Sequence, residues 1–433
     1  MYFLYTIFKP SVISKKIFSK QQMARISLKK CIFGLLLFAM IIFIWYSSSN
    51  NSRFAGYLPN VNVSTVITPY EHQMTGDFLP KHSRKNKVIL LFTSHFYSDI
   101  WKGLSESALD GYLHKAKCKI KECSLTYDKS LITSADLVMF HGVDFEYKNY
   151  TSSHFQAMLK KKEFRQRWIF WMHETPIYYP EPDNYDNLFN WTMTFSQRSD
   201  IYHPYYSYRR LDSDDDRPGK YTNYALGKTK KVAWMVSHCG MTRSNYAVEL
   251  QKYTDVTVYG LCGASFEKMG GICSRVESEC MAELMKYRFY LAFENSFCED
   301  YVTEKYYKFG IMYGLIPIVM GARYNNLNSI PGSYIDVTDF SSIEALGEYL
   351  NFLSENDYAY NKYFEWKNHF KMDDGIDKIC LLCQAAHDVT RRTTVHKDFH
   401  EFWSKQAMCD PYNSVMYQLE RQVELSKKNK KKL

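Results

Sequence analysis

Beyond residue 85 the chain alternates short apolar runs with polar or helical stretches. KVILLFTS (87–94), ADLVMFHG (135–142), RWIFWMHE (167–174) and WTMTFS (191–196) form a first series. KKVAWMVSHC (230–239), VTVYG (256–260), RFYLAFEN (288–295) and IPIVMG (316–321) form a second. Runs this short, bounded by turn-forming residues, predict buried strands. Between them, SNYAVELQKY (244–253) and VTEKYYKFGIMY (302–313) carry helical spacing. The polar segment LDSDDDRPGKY (211–221) divides the two series. Strands that are apolar throughout and alternate with helices predict parallel sheets covered on both faces. The pattern therefore predicts an α/β protein of two doubly wound, Rossmann-like domains, 86–215 and 216–375, with a cleft between them and a closing segment 376–433. No internal repeat is present.

The pattern changes before residue 85. CIFGLLLFAMIIFIWY (31–46) carries no charge. As a helix it spans about 24 Å at about 1.5 Å per residue, which suits the thinner membranes of the early secretory pathway. Lys9, Lys15, Lys16, Lys20, Arg25, Lys29 and Lys30 precede it, and up to Pro59 only Arg53 follows. That asymmetry predicts a cytosolic segment 1–30, a membrane anchor 31–46, a stem 47–85 and a luminal remainder. A cleaved signal peptide is the competing reading, and the long basic lead favours a retained anchor.

Composition fits a folded luminal protein. Hydrophobic residues make up 46% of the 433, and aromatics 17%, enough for a sizeable core. The net charge of +9 is concentrated in the N-terminal segment and the tail KKNKKKL (427–433). Without a basic stripe interleaved with aromatics, nucleic-acid binding is not expected. N-x-S/T acceptors stand at Asn50, Asn62, Asn149 and Asn190, the last inside the aromatic run FNWTMTF. Cys31 lies in the apolar segment, and the other ten of the 11 cysteines form an even set that reads as a disulfide framework.

In open parallel sheets ligands sit outside the carboxyl ends of the strands. Those ends deliver His173-Glu174-Thr175-Pro176, then Ser237-His238-Cys239 with Arg243 behind, then Glu294-Asn295-Ser296, then Gly321. Ordinary loop residues would give the same picture. FENSFCEDYVTEKYYKFGIMYGLIPIVMG (293–321) carries more information. It reads as strand, turn, helix closed by Gly314, and strand. Unpaired N–H groups at the helix start and Lys305 in its first turn suit a diphosphate. Glu304 beside them suits ribose hydroxyls. A charged helix start stabilised by its own dipole explains the same residues without a ligand.

The segment also matches a pattern of F-E-N-S, D-Y, T-E-K and G-x-x-P-x-V-x-G. It resembles the donor-binding signature of the α1,3/α1,4-fucosyltransferases, glycosyltransferase family 10. WMVSHCGMTR resembles the family's W-x-V-S-N-C followed by Arg. WMHETP resembles its E-S-P segment, and NWTMTFSQRSDIYHPY its N-W-T-M-T-Y-R-x-D-S-D-I-x-x-P-Y. The similarity runs from about 85 to 385, with the four motifs in order.

The resemblance implies a GT-B fold, a GDP-fucose donor, a glycan acceptor on glycoprotein or glycolipid, inversion at the anomeric carbon and a single-pass type II Golgi anchor. It implies Glu174 as general base; if Glu174 is not the base, Glu294 or His173 at the same strand ends would take the role. It implies Arg243 and Lys305 at the diphosphate and Glu304, Tyr301 and Asn295 at donor-site positions; Ser237, His238 and Tyr259, at the ends of their strands, are further donor-binding candidates. It also ties Cys118 and Cys123 to Cys380 and Cys383, which would bring the closing segment 376–433, with its basic tail, back onto the first domain. Four departures stand out: His238 where Asn is usual, Thr175 for Ser, Gln197 for Arg, and Phe309-Gly310 for Asn-Ala. Gly310 inside a helix costs about 1 kcal/mol.

Two decoys fail on position. His173-Glu174 does not continue to H-E-x-x-H, because position 177 is Ile. Asp212, Asp214, Asp215 and Asp216 have Mn²⁺-like spacing but lie in the linker rather than at a strand end. No cofactor is required, since Arg243 and Lys305 can neutralise a diphosphate, and Mn²⁺ stimulation stays open. Two competing functions remain: an inverting transferase with another nucleotide sugar, and a membrane-anchored glycan-binding protein without turnover. The acceptor is not readable: N-acetyllactosamine, its GalNAc analogue and the chitobiose core all fit.

Overall fold

The computed structural model describes the chain from 52 to 430 except for short stretches, of which 97–112 and 272–277 are the longest; before 52 it describes Phe33, Leu36, Phe38 and Met40 alone. Residues Met1–Tyr57 form one compact unit and Leu58–Leu433 another. In the first, the expected anchor 31–46 lies outside the described residues apart from those four. Among the described residues no helix is long and apolar enough to cross a membrane.

The second unit holds two six-stranded sheets, both parallel throughout. The first contains β1 (Lys87–Leu91), β2 (Cys123–Thr126), β3 (Leu137–His141), β4 (Arg167–Met172), β5 (Trp191–Thr194) and β6 (Ile201–Tyr202), in the order β2-β1-β3-β4-β5-β6. Then β7 (Ser207–Arg210) leaves the sheet. The second sheet contains β8 (Lys230–Met235), β9 (Val256–Tyr259), β10 (Met269–Gly271), β11 (Tyr287–Phe293), β12 (Ile316–Met320) and β13 (Ile335–Asp336), ordered β10-β9-β8-β11-β12-β13. Finally β14 (Phe370–Asp373) pairs antiparallel with β7. The second order is that of a dinucleotide-binding sheet, with its switch point between β8 and β11.

Eight strands fall on the eight apolar runs. Their side chains alternate between two cores. Ile89, Leu91, Met139, Ile169 and Met193 share one cluster with Ile379 and Leu382. Leu90, Val138, Phe140, Trp168 and Phe170 share the other with Phe189, Phe399 and Trp403. Burial on both faces is why these strands read as continuous apolar runs. The helices that matter are α1 (Gly142–Tyr147), α2 (Thr242–Leu250), the π-helical α3 (Lys305–Met312), α4 (Ile343–Glu355), α5 (Lys378–His387), α6 (Phe399–Trp403) and α7 (Ser414–Lys430).

The closing segment 376–433 does not return as a whole to the first domain. α5 and α6 cover opposite faces of the first sheet. α7 crosses to the second domain, where Gln422 donates to Phe340 O at 2.8 Å and Ser426 Oγ to Glu249 at 2.8 Å. Disulfides Cys118–Cys380 and Cys123–Cys383 fasten α5 to the first sheet. Cys239–Cys262 joins the carboxyl ends of β8 and β9, and Cys298–Cys409 ties the loop after β11 to the C-terminal segment.

Of the linker acids, the described Asp212 and Asp215 have local partners. Asp215 takes Arg209 at 2.5 Å and Lys371 at 2.9 Å, across the β7–β14 pair. Gly310, costly for a helix in isolation, has a packing reason. A Cβ there would lie 2.8 Å from Pro317 Cβ, so Gly lets α3 press onto β12. Gly314, at φ +66°, follows the end of α3 in the left-handed region that glycine adopts freely.

Candidate active site

The site forms where the carboxyl ends of β4 and β11 meet. β11 ends at Phe293 and is followed by Glu294, which is 1% exposed. A carboxylate buried so deeply needs donors. Thr303 supplies its N–H at 2.8 Å and its hydroxyl at 3.0 Å, and Lys305 Nζ stands 3.1 Å away. Lys305 also donates to Thr303 Oγ1 at 2.8 Å and lies 3.3 Å from Glu304. Burial works against the ammonium, but Glu294 and Glu304 outweigh it, and the Lys305 pKa lies above its ordinary value. The T-E-K start of α3 is thus folded back on the strand end, with Lys305 held charged.

Arg243, the second residue of α2, reaches the same strand end. It donates to Phe293 O at 3.0 Å and to His238 O at 3.3 Å. It is 5% exposed, and burial draws its pKa below the usual arginine value. Its buried Nε has no hydrogen-bond partner, and neither does the buried Oδ1 of Asn295. A donor and an acceptor left unsatisfied beside two cations fit a polar, anionic ligand such as a nucleoside diphosphate sugar. Ser237 and His238 lie exposed at the end of β8.

Gly260, at φ +93°, makes this packing possible. A Cβ there would lie 2.6 Å from Val236 O.

Glu174 comes from the other domain, two residues beyond β4. Its carboxylate accepts from Tyr301 OH at 3.4 Å. Burial pushes its pKa up, with Lys305 and the Tyr301 hydroxyl opposing and Glu304 adding to the rise. Thr175 and Ser296 hydroxyls meet beside it at 3.1 Å. The fold therefore brings Glu174, Tyr301, Glu304 and Lys305 together, with Arg243 and Asn295 around the same end of β11.

Three expectations are corrected. Tyr259 points away: its ring is in the core and its hydroxyl pairs with Tyr287 OH at 2.9 Å, at the start of β11 rather than its end. Asn190 is 4% exposed and accepts the Trp168 N–H at 3.0 Å, so it cannot carry a glycan in the folded domain. Glu294 and His173 are spoken for as fallback bases. Glu294 holds Lys305, and His173 Nε2 is bound to His203 O at 2.9 Å. Asn62 is exposed but caps its own turn, accepting from Ser64. Asn50 and Asn149 lie outside the described residues.

What the sequence reading missed is a histidine group along the first sheet's carboxyl edge. His141 pairs with Asp144 at 2.5 Å, and Ser94 donates to the same carboxylate at 2.7 Å. His95 stacks on Trp171, with ring centroids 4.7 Å apart, and His173 on His203 at 4.3 Å. Burial lowers His95 to about 4 and His173 to about 3, so both are neutral near pH 7. Among the described residues one group stands at metal-ligand spacing, Cys123, Cys383 and His387. The two sulfurs are bonded to each other.

Residues 84–206 match the family model described as fucosyltransferase, N-terminal. Residues 225–403 match glycosyltransferase family 10 (fucosyltransferase) C-term, which covers the switch point and both cations. The chain belongs to glycosyltransferase family 10, the fucosyltransferases. It is 31% identical over 339 residues to alpha-(1,3)-fucosyltransferase fut-5 of Caenorhabditis elegans, covering 76% of this chain and 85% of that protein. It is 35% identical over 337 residues to glycoprotein 3-alpha-L-fucosyltransferase A of Drosophila melanogaster, covering 76% of this chain and 62% of that protein. The matched region is thus under two thirds of the fly protein's length. Alpha-(1,3)-fucosyltransferase 4 of Homo sapiens is 34% identical over 236 residues, covering 52% of this chain and 43% of that protein.

Proposed function

We propose that this fucosyltransferase moves L-fucose from GDP-fucose, with inversion, to O3 of a GlcNAc residue in a glycoprotein glycan, on a GT-B scaffold. The observation that carries the reading is Glu174. It is a carboxylate with raised basicity from the first domain, set against the Tyr301–Lys305 segment of the second. The similarity to a glycoprotein 3-alpha-L-fucosyltransferase favours the acceptor class.

In one displacement the acceptor oxygen bonds to the fucosyl carbon, and its proton passes to Glu174. The bond from that carbon to the β-phosphate oxygen breaks, and its electron pair leaves on GDP. Lys305 and Arg243 stabilise the charge that appears there. Glu304 and Asn295 offer an acceptor and an amide to donor hydroxyls. One displacement inverts the centre, and no second carboxylate under the donor is required. Tyr259 has no part in this step. Mn²⁺ stimulation is a matter for assay.

The catalytic unit belongs in the Golgi lumen behind a type II anchor at 31–46. The basic lead, the apolar run and the exposed acceptor Asn62 support this. Titration calorimetry with GDP, UDP and CMP sugars tests the donor: micromolar binding of GDP-fucose alone supports the reading, and a preference for another nucleotide overturns it. A glycan array with GDP-fucose tests the acceptor, and transfer confined to non-GlcNAc positions contradicts it.

A further inference from the structure

Asp300 is a non-glycine residue in the left-handed region, at φ +63°. It precedes Tyr301 in the loop that leaves β11 and crosses to the first domain. Aspartate tolerates this conformation better than most residues, but its surroundings must hold it there. They do so through the side chain. Gln197, just beyond β5, donates its backbone N–H to Asp300 Oδ2 at 2.9 Å and its amide to Oδ1 at 2.6 Å. Asn325 Nδ2 approaches Oδ1 at 3.4 Å, and Gln197 donates to Asn325 Oδ1 at 3.1 Å. Asn325 is itself fixed, because its Oδ1 also takes the Leu327 N–H at 2.8 Å.

The next residue gains its direction from this clamp. The Tyr301 ring packs edge-on against Phe195 at 4.9 Å and Tyr205 at 5.8 Å, both from the first domain, and its hydroxyl points at Glu174. We infer that Asp300, gripped by Gln197 and Asn325, is a positioning residue that aims the Tyr301 hydroxyl at Glu174 and so holds the base in its working geometry. The inference rests on Glu174 being the base and adds a device that none of the catalytic groups supplies. Gln197 of the first domain thereby acts on Glu174 of the same domain through Asp300 and Tyr301 of the second.

The consequence is readable in pH. Glu174 is faced by Lys305, Glu304, Tyr301 and Tyr205. Of these, the Tyr301 hydroxyl donates to the carboxylate and favours its charged form. Asp300 is faced by Glu299, Arg323, Gln197, Asn325 and Tyr202. A base acts when deprotonated, so activity rises with pH through its pKa. Loss of the aimed hydroxyl moves that acidic limb upward.

The test compares kcat against pH for the full chain, with GDP-fucose and the glycan that the wild type uses. Tyr301→Phe is the reference and moves the limb up by about 0.5–1 pH unit. Asp300→Gly relieves the backbone strain and removes the clamp. It moves the limb in the same direction, with kcat about 10–100-fold lower and GDP affinity within about threefold of wild type. Gln197→Ala leaves the backbone at Asp300 untouched and moves the limb part of the way. Asp300→Asn keeps an acceptor for the Gln197 N–H but sets an amide against the Gln197 amide donor, so it moves the limb less than Asp300→Gly does. A loss of folded protein lowers every rate without moving a limb, so instability does not imitate the effect. A moved limb in Tyr301→Phe with unmoved limbs in Asp300→Gly and Gln197→Ala overturns the clamp alone. An unmoved limb in Tyr301→Phe overturns the whole proposal, whereas near-wild-type transfer by Glu174→Gln is what overturns Glu174 as the base.

Discussion

Lys305 Nζ stands 3.1 Å from Oε2 of Glu294, a carboxylate with 1% of its surface exposed. The pair explains how an acidic segment serves an anionic ligand. Glu294 points into the protein, where Thr303 satisfies it. Its charge keeps Lys305 protonated, and the ammonium's three N–H groups stand against Glu294, Thr303 and Glu304, so a diphosphate would take the place of one of the latter two. Breaking such a buried pair from one side leaves the other charge uncompensated.

Lys305→Ala should therefore act twice. It removes a cation from the diphosphate, worth about 3–4 kcal/mol in transition-state stabilisation, and it strands Glu294. Turnover should fall by about 10²–10³-fold and the melting temperature should drop. Arg243→Ala should weaken GDP binding with a similar loss of rate. Calorimetry with GDP checks both, and unchanged affinity in both variants would place the diphosphate elsewhere.

The paired disulfides predict unequal costs. Cys118–Cys380 and Cys123–Cys383 span 262 and 260 residues but lie next to each other. With either in place, the other closes only a small ring. Replacing one pair by Ser should cost about 3 kcal/mol in a loop-closure account, and replacing both about 8 kcal/mol, more than twice the single cost. Thermal unfolding of the three variants checks the ordering, and equal losses for the single and double removals would contradict it.

The histidine edge predicts acid sensitivity. His95 and His173 are held neutral, with pKa lowered by burial to about 4 and about 3 from 6.5. A depressed folded value means that the unfolded chain takes up the proton first. The stability they contribute is present above pH 6.5 and is lost as pH falls towards 4. His95→Phe keeps the stacking on Trp171 and removes one titration. Its melting temperature should fall less between pH 6.5 and 4 than that of the wild type. An identical slope would remove His95 from the account.

Much of this was legible in the chain, for a physical reason. Strands buried on both faces leave an unbroken apolar run, and eight such runs became β1, β3, β4, β5, β8, β9, β11 and β12. β2 is Cys-Ser-Leu-Thr, and β6, β10 and β13 have two or three residues. Segments that short owe their strand geometry to neighbours and carry no periodicity of their own. Site residues followed the same division. Strand ends told which residues stand at the carboxyl edges of the sheets, but not where each side chain turns. Tyr259 turns along the sheet to Tyr287, and Asn190 turns in to Trp168. Glu294 and Glu174 look alike in sequence, yet Thr303 and Lys305 close off one while the other stays half-buried against Tyr301. Gln197 read only as a departure from a motif, because its partner lies 103 positions away.

The central claim is that Glu174 takes the acceptor's proton. Glu174→Gln keeps the shape and still offers an acceptor to Tyr301, but it has no basicity. Its raised pKa places the acidic limb of the wild-type rate above the ordinary carboxylate range. The decisive measurement is the rate of fucosyl transfer by Glu174→Gln alongside its affinity for GDP. The account predicts wild-type GDP affinity with transfer lowered by about 10²–10⁴-fold. Near-wild-type transfer by that variant would contradict it.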